Sequence, residues 1–147
     1  EDIKKKLKNN IDNPKLKIEE VKINNKILNI VQDGKLIAGT KQRVAKLFIK
    51  NIKKKNPEIE SLVYSGTYNG YGAVATAYSA NKLNLKCDIF LSKKNEKQTI
   101  KELKKTRQII TLIALGANIN ICDDYNKAKI AKYNLCDNEN KKQKKEY

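Results

Sequence analysis

The sequence of 147 residues contains no histidine and only three cysteines, Cys87, Cys122 and Cys136. Histidine and cysteine are the commonest ligands of zinc and of iron–sulfur clusters, and no pair of these cysteines has the Cys-x-x-Cys spacing. The chain therefore has too few ligands for either kind of metal centre. Cys87 and Cys122 fall within predicted strands, where a small apolar side chain suits a protein core.

Long apolar runs and methionine are also missing. No stretch approaches 18 consecutive apolar residues, and the first residues do not resemble a signal peptide. We therefore expect no membrane association and a location in the cytoplasm or another reducing compartment. The absence of methionine, even at position 1, indicates a processed product, a trimmed segment or an incompletely known chain.

Arginine is scarce although the chain is strongly basic. Arg43 and Arg107 are the only arginines among 32 basic residues, and the formal net charge is +16. Arginine is the preferred residue for bidentate contacts with phosphate and guanine, so a dedicated nucleic-acid surface would be expected to use more of it. The codon bias of an AT-rich genome, which favours lysine at solvent-exposed positions, explains the charge more simply. Nucleic acid or another polyanion remains a possible partner.

The length predicts one domain with two polar ends. We expect a basic N-terminal arm at 1–20, an α/β domain at 21–135 and a polar flexible tail at 136–147. β-branched runs at 21–23 and 27–31 predict a hairpin or two consecutive strands. Apolar runs at 62–64, 87–91 and 119–122 predict further strands. Their alternation with helices predicts a parallel sheet with helices on both faces.

The helices are predicted from apolar side chains at helical spacing. A helix at 41–53 has a polar lysine face and an apolar stripe formed by Val44, Leu47, Phe48 and Ile52. A second, alanine-rich helix covers 71–83. A long helix at 97–115 has the apolar set Ile100, Leu103, Ile110, Ile113 and Ala114, and Gly116 fits the left-handed position that closes it. A short helix at 125–133 follows Asp123 and Asp124, either of which suits its cap.

Two segments carry candidate chemistry. Residues 39–43, Gly-Thr-Lys-Gln-Arg, place Lys41 at a helix start, where backbone N–H groups and the helix dipole disfavour the protonated form of a lysine. Residues 65–72, Ser-Gly-Thr-Tyr-Asn-Gly-Tyr-Gly, form a glycine-rich turn whose N–H groups can close on a carboxylate or phosphate. Together the two segments predict a site for an anionic, amine-bearing small molecule.

Each of these residues has a simpler structural interpretation. In a lysine-rich chain a lysine at a helix start is usually solvated, and Ser65 could serve only to cap its loop. Asn69 and Tyr71 could pack or bind water instead of substrate. The three glycines of the turn, Gly66, Gly70 and Gly72, could serve backbone geometry alone.

The order of motifs resembles a known family over residues 25–133. The run Ile-Leu-Asn-Ile-Val-Gln-Asp-Gly at 27–34 precedes the Gly-x-Lys-x-Arg segment, Leu-Val-Tyr-Ser-Gly at 62–66 leads into the loop, and an alanine-rich helix follows at 73–80. Two more strands with their preceding turns lie at 84–91 and 115–122. This arrangement resembles the first half of fold-type II pyridoxal-phosphate enzymes, a tryptophan synthase beta-like group. It is closest to the branch of D-cysteine desulfhydrase, aminocyclopropane-carboxylate deaminase and threonine synthase-like proteins.

The resemblance implies roles for individual residues. Lys41 matches the catalytic lysine that binds pyridoxal phosphate, and Asn69 and Tyr71 are implied as further cofactor contacts. The carboxylate of an amino-acid substrate is implied to bind a set of loop residues, Ser65, Gly66, Thr67, Asn69, Gly70 and Gly72. The sequence departs from the family where Gly70 and Tyr71 replace a Ser-Asn pair. It also contains no glycine-rich phosphate cup, which the family keeps in its second domain.

Three functions are therefore left open. The first is a lyase- or deaminase-like protein dependent on pyridoxal phosphate, truncated or catalytically degenerate. The second is a non-catalytic structural or interaction subunit of a larger assembly, in which a partner supplies the missing half. The third is a binder of nucleic acid or another polyanion through the lysine-rich surface.

Overall fold

The computed structural model describes residues 15–34 and 36–143, with side chains described as far as residue 139. The strands are β1 (Ile18–Ile23), β2 (Lys26–Val31), β3 (Ser61–Thr67), β4 (Lys86–Ser92) and β5 (Asn118–Cys122). The helices are α1 (Lys41–Lys55), α2 (Tyr71–Lys82), α3 (Ile100–Leu103), α4 (Arg107–Ala114) and α5 (Tyr125–Gln143).

The first two strands form an antiparallel hairpin, one of the two arrangements that the sequence predicted. Ile23 pairs with Lys26, and the two residues between them, Asn24 and Asn25, have φ values of +47° and +62°. Left-handed conformations at both central positions define the type I′ turn, which asparagine tolerates and which suits the twist of paired strands. β1 begins at Ile18, so the last three residues of the expected basic arm belong to a strand, while residues 1–14 lie outside the described part.

The other three strands form a parallel sheet in the order β3-β4-β5. Tyr64 pairs with Ile89, which pairs in turn with Ile119, so these three side chains share one face of the sheet. That face is covered by α2 and α4, and all three residues belong to the main hydrophobic core or pack against it. The parallel pairing confirms the predicted sheet and its three strands.

The opposite face of the sheet is covered by α5. Phe90 alternates with Ile89 and Leu91 along β4 and therefore points away from the main core, yet it is buried. α5 packs against β3 and β4, and its Ala128 is completely buried. Helices thus lie on both faces of the sheet, which confirms the predicted α/β class.

Most of the predicted apolar stripe of α1 does not face the core. Val44, Leu47 and Phe48, which belong to that stripe, are 67%, 62% and 62% exposed. Ala45 and Ile49 pack instead against the core that α2 contributes. α2 presents a surface of alanines, and a small residue such as Ala45 allows two helices to approach closely. The larger apolar stripe consequently faces outward.

The long helix predicted at 97–115 is two helices. Thr99 begins α3 with a capping box, accepting the N–H of Glu102 at 3.2 Å while the Glu102 carboxylate accepts the N–H of Thr99 at 3.0 Å. α4 begins anew after Thr106, whose backbone is extended. This break turns Ile109 and Leu112 inward, whereas Ile110 and Ile113, which belong to the predicted apolar set, are exposed.

The end of α4 confirms the predicted role of Gly116. Its φ is +77°, its N–H donates to the Ile113 carbonyl at 3.0 Å, and the N–H of Ala117 donates to the Leu112 carbonyl at 3.1 Å. These two bonds form a Schellman motif, which requires a left-handed residue at the glycine position.

The last helix is longer than predicted. Asp124 caps α5 by accepting the N–H of Lys127 at 2.8 Å. The helix continues to Gln143, so residues 136–143 of the expected flexible tail have helical backbone, and residues 144–147 lie outside the described part. Within the described residues, no helix is both long enough and apolar enough to cross a membrane.

Candidate functional site around Lys41 and the Ser65–Gly72 loop

Lys41 is the first residue of α1 and its side chain is exposed. The chain reaches it through a tight turn in which Gly39 has a φ of +58° and its carbonyl accepts the N–H of Gln42 at 3.0 Å. Few residues other than glycine adopt this left-handed conformation without strain. The turn therefore sets the direction in which α1 starts and in which Lys41 leaves it.

The turn is held by an ion pair between Asp33 and Arg43. The Arg43 Nη2 and Nε atoms lie 2.8 and 3.1 Å from Asp33 Oδ1, and Nε lies 3.3 Å from Oδ2. Both side chains are mostly shielded from solvent. Hydrogen bonds from Arg43 lower the pKa of the Asp33 carboxyl, with Thr40 contributing a further bond, while burial opposes the change. The sequence pattern of an acidic turn and Gly-x-Lys-x-Arg contains both partners, but it did not indicate that they pair.

The buried side chain of Gln42 stabilises the same turn by a hydrogen bond. Its side chain is completely buried, and its Oε1 accepts the N–H of Ala38 at 3.3 Å. Since Ala38 belongs to the main core, this bond ties the approach to Lys41 to the packed interior. The amide side chain next to Lys41 is therefore structural, whereas Lys41 itself faces solvent.

The loop after β3 is fixed by hydrogen bonds on three sides. The N–H of Tyr68 donates to the Ser92 carbonyl at 3.1 Å, and the N–H of Gly70 donates to the Thr67 carbonyl at 3.0 Å. From α4, Gln108 Nε2 donates to the Asn69 carbonyl at 3.3 Å. Two of the N–H groups expected to bind an anion therefore already have protein acceptors.

The start of α2 adds further N–H groups, of which the exposed Tyr71 carries one and the buried Ala73 another. In an α-helix the first N–H groups have no acceptor within the helix, and at α2 these belong to Tyr71, Gly72 and Ala73. Asn69 and Tyr71 are exposed, Ser65 is half-buried and Thr67 is exposed at the end of β3. A carboxylate bound to this loop would thus meet the helix start rather than the whole turn.

Two of the loop's glycines make room for Tyr64. A Cβ atom built on Gly66 would lie 2.7 Å from Tyr64 Cε1, and one built on Gly72 would overlap the Tyr64 hydroxyl. Neither glycine has a positive φ. The Tyr64 ring, and not a backbone requirement, therefore explains both glycines. Burial raises the pKa of the Tyr64 hydroxyl, and the neighbouring Tyr125 adds to the rise.

α1 packs against α2. Lys41 begins the first of these helices and the loop leads into the second. Cys87 is not a candidate nucleophile for this site. It is buried in the main hydrophobic core, and burial raises the pKa of its thiol to about 12. No group of three or more metal-ligating side chains occurs among the described residues.

Comparison with known proteins shows the fold. No protein-family model matches the chain, and no curated protein sequence matches it. It is similar to a solved hydrogen sulfide-producing enzyme from Fusobacterium nucleatum, with a TM-score of 0.63 and 17% identity over 85% of this chain and 40% of that one.

Diaminopropionate ammonia lyase from Escherichia coli is also similar. Its holo form has a TM-score of 0.57 at 12% identity, covering 95% of this chain and 39% of that one. Its apo form has a TM-score of 0.53 at 13% identity, covering 95% and 42%. This chain thus spans about two-fifths of the length of these enzymes. The shared fold agrees with the resemblance to pyridoxal-phosphate enzymes but does not distinguish the branches of that family.

Proposed function

We propose that this chain is the lysine-bearing part of a lyase- or deaminase-like protein that uses pyridoxal phosphate. The observation that carries the proposal is the position of Lys41. It is the first residue of α1, exposed, and directed by the left-handed Gly39 and the Asp33–Arg43 ion pair. The fold shared with two lyase structures and a hydrogen sulfide-producing enzyme supports it.

The residues present fit one end of the cofactor. The Lys41 amine is accessible for covalent attachment of an aldehyde, and the first N–H groups of α2 are available to an anion. The chain has six glycines, and those outside the loop are isolated, so it has no second glycine-rich turn to hold a phosphate. The phosphate would have to be held by groups that these residues do not supply.

Each group then has one task. When bound, the cofactor would act as an electron sink for the α-carbon of an amino acid. Lys41 Nζ would take the α-proton and return it as the general base. The N–H groups at the start of α2 would orient the substrate carboxylate. The Asp33–Arg43 pair would hold the helix start that positions Lys41.

The test is the visible absorption of the purified chain with added pyridoxal phosphate. We expect one cofactor per chain and a visible band that Lys41→Ala removes. Lys50→Ala is the matched control, because Lys50 is an exposed lysine on the same helix. A band that survives Lys41→Ala would mean that surface lysines react with the aldehyde, and the proposal would fail.

A second candidate is a non-catalytic interaction subunit. It is favoured by the departures in the loop, where Gly66 and Gly72 accommodate Tyr64 and where two N–H groups already have protein acceptors. Absence of any visible band in the unmodified chain, with its fold intact by circular dichroism, would favour this candidate over the first.

A further inference from the structure

α1 has apolar side chains on two sides. Ala45 and Ile49 face the core, and the outer face consists of Val44, Leu47 and Phe48, each more than 60% exposed. Large apolar side chains that lie together on an exposed surface commonly mark a contact with another molecule. The outer face therefore has the composition of a contact surface, although nothing among the described residues covers it.

The outer face forms one wall of a cleft of about 750 Å³. Leu16 and Lys15, which precede β1, form the other wall, and Asn51 continues the helical wall. Val44, Leu47, Phe48 and Asn51 follow the spacing i, i+3, i+4, i+7, which is the pattern by which helices pack against a partner helix. The cleft thus matches two turns of an amphipathic helix.

The charge of α1, and of Lys15 and Arg43 in the cleft lining, distinguishes between possible partners. α1 contains seven basic residues and no acidic one: Lys41, Arg43, Lys46, Lys50, Lys53, Lys54 and Lys55. A second copy of the chain would bring a further +16 against this surface, which disfavours self-association. Nucleic acid suits the charge, but it does not require an apolar stripe, and Arg43 is already engaged with Asp33. An acidic protein surface suits both features.

We infer that the outer face of α1, together with Leu16, docks an amphipathic helix of a partner protein, apolar at its centre and flanked by Asp and Glu. The partner is inferred from the exposed apolar stripe and from the basic charge of α1, which together fit an apolar helix with acidic flanks. This inference does not depend on Lys41 being reactive.

The test measures binding of synthetic helical peptides to the full chain by fluorescence anisotropy. The first peptide has leucines at i, i+3, i+4 and i+7 with glutamates on both flanks. The second replaces the glutamates by lysines, and the third keeps the glutamates and replaces the leucines by serines. The first peptide should bind at least tenfold more tightly than either of the others.

Variants locate the binding site. Leu47→Ser and Phe48→Ser should each weaken binding of the first peptide at least tenfold. Ile113→Ser is the matched control, since Ile113 is 58% exposed on α4, away from the cleft, and it should leave binding unchanged. Because all three side chains are exposed, the variants should keep the circular dichroism spectrum of the parent chain.

Several results would overturn the inference. These are equal binding of the three peptides, an equal loss with Ile113→Ser, or a dimer that sedimentation equilibrium shows to depend on Leu47. If duplex DNA displaces the peptide, and Leu47→Ser weakens the binding of that DNA, the face would be assigned to nucleic acid instead. If the unmodified chain shows the Lys41-dependent cofactor band but binds none of the peptides, only this inference is overturned. If it binds the first peptide but shows no Lys41-dependent band, only the proposed function is overturned.

Discussion

The ring of Tyr64 occupies the space in which Gly72 would carry a Cβ atom, so a residue of β3 reaches across to the first turn of α2. The same ring also excludes a Cβ atom at Gly66. The sequence pattern of this glycine-rich loop predicts binding of an anion, but two of its glycines are explained by packing inside the protein. The remaining candidate for ligand binding in this region is the start of α2.

This contact predicts a coupling between Gly72 and Tyr64. Gly72→Ala should destabilise the fold by about 1 to 3 kcal/mol, because it overpacks a closed contact. The contact is made by the hydroxyl end of the ring, so Tyr64→Phe should reduce that cost. Urea unfolding of the two single variants and the double variant measures the coupling. Additive effects would show that the ring moves aside freely.

Gly66 provides a contrasting case. Its nearest neighbour is the ring carbon Cε1 of Tyr64 and not the hydroxyl, so Tyr64→Phe should not rescue Gly66→Ala, whereas Tyr64→Leu should. Gly34→Ala is the control, since no atom lies within 4 Å of a Cβ built there. It should change the unfolding free energy by no more than about 0.5 kcal/mol, as for ordinary surface substitutions.

The left-handed Gly39 predicts a different kind of effect. No atom lies within 4 Å of a Cβ built on it, so Gly39→Ala should cost about 1 to 2 kcal/mol through backbone strain alone. Asparagine adopts this conformation more readily, so Gly39→Asn should cost less than Gly39→Ala. If Lys41 binds the cofactor, the Lys41-dependent absorption band should weaken in the same order as stability. Equal unfolding midpoints for the two variants would contradict the strain argument.

The Asp33–Arg43 pair predicts an acid-dependent loss of stability. The folded pKa of Asp33 lies below its unfolded value of about 3.9, so the pair stabilises the fold above that pH. This stabilisation is lost as the pH falls through the lowered folded pKa. The difference in urea midpoint between the parent chain and Asp33→Asn should therefore be largest near neutral pH and shrink below about pH 4. A difference that is constant from pH 7 to pH 2 would exclude a contribution from Asp33 ionisation.

The lysine-rich surface predicts weak binding of DNA that depends on charge alone. The lysines of α1 do not form one free face, since Lys46 and Lys53 are half-buried and Lys53 Nζ donates to the Ile59 carbonyl at 2.7 Å. Neutralising the exposed Lys50, Lys54 and Lys55 should therefore weaken DNA binding as much as neutralising three lysines from 141–145. Raising salt from about 50 to about 200 mM should remove most of the binding, because counterion release drives it. A much larger loss from the α1 set would indicate a dedicated site.

The sequence by itself determined the elements in which local chemistry and pattern agree. The left-handed Gly116 and the apolar runs of the three parallel strands depend on neighbouring residues, and each was predicted; the hairpin at 18–31 was one of two predicted alternatives. The order of strands and helices then restricted the fold to a parallel sheet covered on both faces, because parallel strands need crossover helices.

Tertiary structure decided which of two apolar sides of α1 is buried, where the chain breaks between α3 and α4, and why Gly66 and Gly72 are glycines. Periodicity shows that a helix has an apolar side but not which neighbour it meets. The small side of α1 fits the alanine surface of α2, and the Tyr64 ring fills a space that only contacts between β3 and α2 define. These outcomes depend on the volumes of residues distant in sequence, which close packing makes decisive.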